Sequence, residues 1–298
     1  MNRKPKDRLA WQSKAVLLLV LPVTAVSILL QGHWWATQVP EVAWTALGVS
    51  VLFALVVWKL KAGTPRAAAT GALITASLMF STTQFPYRNS WAHGALLPLL
   101  TVFLLTFVAT KLGKHKKEAL RLAEDHKGRN SAQVAANLGA AALLATALTD
   151  LVSPFGHLQH AASFAMVACS ISLAEAAADT VSSEIGQAFG GQPRMLTNLR
   201  KADPGTDGAI TLVGTVAGIC AACLVACAAA AAGQGSWFLF GWIVLGAVFG
   251  LFVDSLLGAT LERLGWLNND AVNFLSTLSA PLGTLLGVWL GSLVPGLL

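Results

Sequence analysis

The sequence predicts an all-α protein, a polytopic transmembrane helical bundle of about nine spans with its N-terminus cytoplasmic and its C-terminus outside. Three observations carry this expectation. Of 298 residues, 55% are hydrophobic and only 11% charged, where a soluble domain carries about 25% charged residues. Apolar stretches of the length a bilayer requires recur along the whole chain and not at one anchor. Nineteen of the 20 Lys and Arg residues fall in alternate connections, the asymmetry expected when basic loops stay on the cytoplasmic side.

The candidate spans lie at residues 14–30, 42–58, 67–82, 95–110, 132–151, 161–186, 208–232, 237–261 and 271–293. The first follows Arg3, Lys4, Lys6 and Arg8 and reads as a retained span, because the apolar run is long for a signal peptide and no small-x-small cleavage site precedes Gln31. No Arg- and Ser-rich transit sequence precedes it, so a prokaryotic plasma (inner) membrane is the expected location. Lys59, Lys61 and Arg66 follow the second span, a basic run at 111–129 follows the fourth, Arg194, Arg200 and Lys201 the sixth, and Arg263 the eighth. Arg88 alone falls outside. Each span reverses the chain, so one span more or fewer would misplace the remaining basic loops; the asymmetry thus supports the count as well as the direction. Trp34, Trp35, Trp91, Trp237 and Trp266 fall near span ends, where indole rings favour the interface. The expected division is 1–110, with spans one to four, and 111–298, with the basic loop and spans five to nine carrying the active site.

With directions assigned, five polar clusters fall at the cytoplasmic leaflet. Gln133 and Asn137, one turn apart, enter span five just after Arg129. Glu175, Asp179 and Glu184 leave through span six with Ser172, Ser182 and Ser183, and Asp207 opens span seven within Gly205-Thr206-Asp207-Gly208. Asp254-Ser255 and Glu262 close span eight, and Asn269, Asp270 and Asn273 open span nine. A carboxylate at a helix centre costs about 2.5–3.5 kcal/mol on insertion scales, so one placed there has a partner or a task. Glu175 and Asp179 are four residues apart on one helical face, and like charges that close call for a cation. Hard oxygen donors of this kind suit Mg²⁺.

Other readings stand beside this one. Glu184, Asp207, Glu262 and Asp270 equally suit helix ends in water, with Asp207 and Asp270 at N-terminal dipoles. The basic run at 111–129 equally serves topology and lipid headgroups. Cys220, Cys223 and Cys227 share one face of an Ala-rich helix and read as small packing residues, while His157 and His160 lie in an outside loop with only Asp150 nearby. The Asp179-Thr180 and Asp254-Ser255 exits, paired with Asp207 and Asp270 entries, hint at a parallel repeat in spans six to nine.

The strings Ala178-Asp179-Thr180-Val181-Ser182-Ser183-Glu184-Ile185-Gly186, Gly205-Thr206-Asp207-Gly208-Ala209-Ile210-Thr211, Asp254-Ser255-Leu256-Leu257-Gly258-Ala259 and Asn269-Asp270-Ala271-Val272-Asn273 resemble the signatures of an integral membrane family known as domain-of-unknown-function family 92. The likeness runs from about Val42 onward and includes Gly128-Arg129-Asn130 with Gln133-Val134 and Asn137. The plant chloroplast members of that family are phytyl-phosphate kinases. The resemblance therefore implies a CTP-dependent kinase that converts an isoprenyl (phytyl, geranylgeranyl or farnesyl) monophosphate to its diphosphate. Two departures are Val181, where a bulky residue such as Trp follows Asp-Thr, and Glu262, where Gln is frequent.

On this reading Asp179, Glu184 and Asp254 are the catalytic carboxylates and, with Asp270, the Mg²⁺ ligands. Lys111, Lys114, Arg129, Asn137, Gly205, Thr206, Asp207, Gly208, Ser255 and Asn273 are the expected nucleotide and phosphate contacts. The expected partners are an isoprenyl monophosphate lipid, a nucleoside triphosphate with CTP favoured, and membrane lipids; no nucleic acid is expected, and an oligomer is open. The rivals are a CDP-lipid-forming nucleotidyltransferase, a polyprenol kinase and, in a different class, a transporter.

Overall fold

The computed structural model describes residues 9–85, 87, 89–122, 128–152, 158–234 and 237–292. Arg3, Lys4, Lys6, Arg8, Arg88, Lys127, His157 and the end of the ninth expected span lie outside them.

Long helices form at all nine expected places. They are α1 (Ala10–Gln38), α2 (Pro40–Lys59), α3 (Pro65–Thr82), α4 (Leu96–Lys111), α6 (Ser131–Val152), α7 (Leu158–Phe189), α8 (Leu212–Ala229), α9 (Trp237–Leu257) and α10 (Asn269–Ser292), with the short α5 (Lys114–Ala119) between α4 and α6. Seven are long and apolar enough to cross a membrane, the exceptions among the described residues being α3 and α4. At 1.5 Å per residue the 16 residues of α4 rise only about 24 Å. In α3, hydroxyl residues lower the apolar content; Thr75 and Thr82 donate to carbonyls one turn back, at 2.7 and 2.6 Å, and so reach the interior satisfied. Beyond the all-α expectation, β1 (Arg194–Met195) pairs antiparallel with β2 (Ala209–Ile210) in a two-residue ladder between α7 and α8.

Local chemistry sets the helix starts. Pro40 and Pro65 occupy first-turn positions, and the Thr64 hydroxyl accepts from Ala67 N. At α6, Asn130 Oδ1 accepts from Ala132 N and Gln133 N while Gln133 Oε1 accepts from Asn130 N, a reciprocal capping box. Gln133, singled out above as a polar entry residue, is thus engaged in starting its own helix. Asn268 caps α10 at Ala271 N and also donates to Leu9 O and Ser13 Oγ, tying the start of α1 to the α9–α10 connection.

α7 is the central element, packed by α4, α6, α8, α9 and α10. Its neighbours are protein, which explains how a helix of membrane-spanning length carries three carboxylates. Small residues let α8 approach it closely: a Cβ on Gly218 would stand 2.7 Å from Ala178 O. The core is correspondingly rich in alanine, including Ala140, Ala141, Ala174, Ala177, Ala222 and Ala226. Trp35 departs from its expected interfacial position; it is 3% exposed and donates from Nε1 to Phe80 O at 3.1 Å.

Candidate active site

The polar clusters, spread in sequence from Arg129 to Asn273, meet in one cavity of about 330 Å³. The first turns of α6, the last turns of α7 and α9, the 205–208 turn and the start of α10 form its walls. Asp179, Glu184, Asp254, Arg129, Asn137, Gly205, Thr206, Asp207, Gly208, Ser255 and Asn273 all line it.

At its centre the carboxyls of Asp179 and Asp254 lie near enough to act on each other, and the Arg129 guanidinium lies close enough to act on Asp179. Asp254 Oδ2 is buried without a hydrogen-bond partner. Glu175, one turn deeper on α7, is fully buried, and neither of its oxygens has a partner. It fits only because residue 250 is glycine, where a Cβ would stand 2.5 Å from Glu175 Cγ. Glu175 lies within electrostatic reach of Asp179 and Asp254, so the two helices concentrate two carboxyls in the cavity wall and a third beneath it.

The backbone holds these groups in place. Arg129 is pinned between Ala62 and Thr64, donating its N–H to Ala62 O at 3.1 Å and accepting from Thr64 N at 2.9 Å. Asn137 donates to Gln133 O at 2.8 Å and accepts a longer bond from Asn273 Nδ2 at 3.4 Å, joining α6 to α10. Ser172, on the same α7 stripe, donates to Thr277 O at 2.9 Å. The 205–208 turn presses directly on the end of α9: Gly208 has φ +74°, and a Cβ there would stand 2.1 Å from Ala259 N, so only glycine fits. The Thr206 hydroxyl donates to Asp203 O at 2.8 Å.

Two expected ligands have other surroundings. Glu184 lines the cavity edge, but one carboxylate oxygen forms an ion pair with Lys117 and the other accepts from Thr110 Oγ1 at 3.1 Å. Lys117 is 1% exposed and donates as well to Ala109 O and Thr110 O, so this carboxylate braces α4 and α5 against α7. Asp270 does not line the cavity; it stands in the first turn of α10, the dipole position that its alternative reading assigned. Both acidic exits, Asp179 and Asp254, line the cavity; of the entries Asp207 does so, and at the start of α10 Asn269 and Asn273 do so in place of Asp270.

Lys111 and Lys114 face a second space. An apolar groove of about 370 Å³ runs between α2, α3, α4 and α6 and shares Arg129 and Asn137 with the acidic cavity. The sequence signals of this groove are Gly63, Ala67, Ala68 and Gly71, spaced along one side of α3 and its approach, and none of them was among the expected site residues.

Among the described residues no group of three or more His, Cys, Asp and Glu side chains is placed to hold a metal ion. Mg²⁺ needs only one or two carboxylates, its other positions going to water or phosphate oxygens. The neighbouring Asp179 and Asp254 carboxyls, one with an unpartnered buried oxygen, match that donor set.

The sequence model for the integral membrane protein DUF92 family matches residues 48–281. The chain belongs to this family. The matched region holds every residue named in the acidic cavity of this DUF92 protein. The chain is an all-α integral membrane protein with about seven candidate transmembrane helices. It is 34% identical over 199 residues to "Uncharacterized membrane protein MJ0933" of Methanocaldococcus jannaschii, covering 65% of this chain and 74% of that one. It is 30% identical over 217 residues to "Uncharacterized membrane protein sll0875" of Synechocystis, covering 65% and 78%. To "Protein VTE6, chloroplastic" of Arabidopsis thaliana it is 30% identical over 191 residues, covering 63% of this chain and 56% of that protein. No solved structure matches it significantly.

Proposed function

We propose that the protein is a membrane-embedded phosphotransferase that converts an isoprenyl monophosphate to its diphosphate at the expense of a nucleoside triphosphate, CTP being favoured. The observation that carries this reading is the junction of an apolar groove with an acidic cavity of about 330 Å³, whose linings share Arg129 and Asn137. Such a junction suits a ligand with a long apolar tail and an anionic head. Similarity to VTE6, in a family whose plant chloroplast members are phytyl-phosphate kinases, supports the same class of reaction.

In this reading the tail lies in the groove and the monophosphate sits at its mouth, where Lys111, Lys114 and Arg129 offset its charge. A phosphate monoester with a second pKa near 6 is largely dianionic at neutral pH, so its oxygen attacks the γ-phosphorus without a strong base. The new bond joins that oxygen to the γ-phosphorus, the bond to the β–γ bridging oxygen breaks, and the nucleoside diphosphate leaves with the electron pair. Asp179 and Asp254 would hold Mg²⁺, which supplies charge neutralisation to the β- and γ-phosphates. The 205–208 turn and Asn273 border the space for the triphosphate, and the packed α7 and α9 keep water from the opposite side. Nine spans, with the N-terminus and the acidic cavity on the cytoplasmic side of a plasma membrane, complete the proposal; the alternating basic connections support it.

The test is turnover of purified protein with phytyl, geranylgeranyl and farnesyl monophosphates against CTP, ATP, GTP and UTP. A prenyl diphosphate formed with at least one nucleotide supports the assignment. Nucleotide-independent solute flux in proteoliposomes, with no transfer to any acceptor, overturns it in favour of a transporter.

A further inference from the structure

Residues lining the apolar groove mark its far end on each wall: Phe53 on α2, Gly71 on α3, Leu99 on α4 and Leu138 on α6. The mouth is marked by Lys111 and Arg129. Phe53 closes the far end: its ring stands edge-on to Phe103 at 5.1 Å between centroids, and Phe103 stacks on Phe107 at 5.8 Å. Across from it Gly71 leaves space, since a Cβ there would meet nothing nearer than Phe53 Cε1 at 3.9 Å. From Lys111 back to Leu99 the α4 wall spans about 18 Å at 1.5 Å per residue. An extended chain advances about 1.2 Å per backbone bond, so this depth takes up about fifteen bonds, or between three and four isoprene units.

We propose that Phe53, facing Gly71 across the blind end of the groove, sets the longest prenyl tail the protein accepts. This rests on the reading of the groove as the tail site of a prenyl monophosphate. A tail of up to four units gains buried apolar surface with every added unit; a fifth meets the Phe53 ring and gains nothing. Removing the ring deepens the groove, and a side chain at position 71 shortens it.

The test measures binding of prenyl monophosphates of two, three, four and five isoprene units to the purified full chain by calorimetry without nucleotide, followed by turnover of the same set with CTP. For the unaltered protein, affinity rises with each unit to four and levels off at five. In Phe53→Ala the five-unit homologue gains about tenfold over its affinity for the unaltered protein. In Gly71→Leu the ratio of four-unit to two-unit affinity falls about tenfold. In the Leu variant the Cβ meets the Phe53 ring at an ordinary van der Waals distance of 3.9 Å, and a good helix former replaces glycine, so folding is retained. An unchanged length profile in both variants overturns the assignment of Phe53, while turnover by the unaltered protein upholds the kinase reading. Length-dependent binding without phosphoryl transfer does the reverse. Failure to bind any of the four homologues overturns both.

Discussion

The Lys117–Glu184 pair makes a sharp and asymmetric prediction. Lys117 is 1% exposed and Glu184 18% exposed, so the two charges differ in what happens when either is left alone. Glu184→Gln strands an ammonium in a water-excluded position with only the Ala109 and Thr110 carbonyls for company. An uncompensated buried charge of this kind costs about 3–5 kcal/mol. Lys117→Met leaves a carboxylate that still accepts from Thr110 and borders the polar cavity, where water reaches it. That loss is the bond to Glu184, about 2 kcal/mol, together with the two bonds to the Ala109 and Thr110 carbonyls, with no charge left buried. The Lys117→Met/Glu184→Gln double variant carries no stranded charge, so its cost falls short of the sum of the singles by about 1–3 kcal/mol. Equilibrium unfolding in mixed micelles reads all four proteins. Equal or additive effects of the two single changes would refute the brace. Complete loss of turnover in a Glu184→Gln protein of unaltered stability would return that carboxylate to the metal site.

Asp179→Asn or Asp254→Asn is expected to abolish turnover while membrane insertion and yield stay intact, as measured by assay alongside detergent-extracted expression; full activity in both would remove the metal assignment. Chelation with EDTA is expected to stop turnover and Mg²⁺ to restore it, whereas metal-independent transfer would contradict the role given to the aspartate pair. Gly218→Leu is expected to cost several kcal/mol, because its side chain would meet the α7 backbone at Ala178 O, 2.7 Å from the Cβ position. Thermal unfolding checks this, and a stable Gly218→Leu protein would deny the close α7–α8 approach.

What sequence could and could not convey follows from the range of each interaction. Asp179 and Asp254 stand out because a carboxylate amid apolar helix is expensive wherever the chain goes, and the structure brings the two together. Glu184 has the same local signature, but its partner is 67 residues away, in a basic run where nothing marks Lys117 off from Lys114 or Lys116. Asp207 and Asp270 read alike as acids opening a helix; the difference is tertiary, since Gly208 pushes the first against Ala259 while the second sits in the first turn of α10 beside the cavity. Glu175 was visible only as a close neighbour of Asp179, and its full burial depends on Gly250 from another helix. The helices were legible from apolar runs. Which of them exceed the bilayer thickness was not, because α3 hides its hydroxyls in its own backbone and α4 ends after 16 residues.

The account stands or falls on which phosphorus is attacked. Purified protein incubated with Mg²⁺, geranylgeranyl monophosphate and CTP labelled separately at the α and γ positions gives the answer in one chromatogram. Label from the γ position should enter the prenyl diphosphate, while the α label stays with CDP. Label from the α position in the lipid product would mean nucleotidyl transfer and would contradict the proposed kinase.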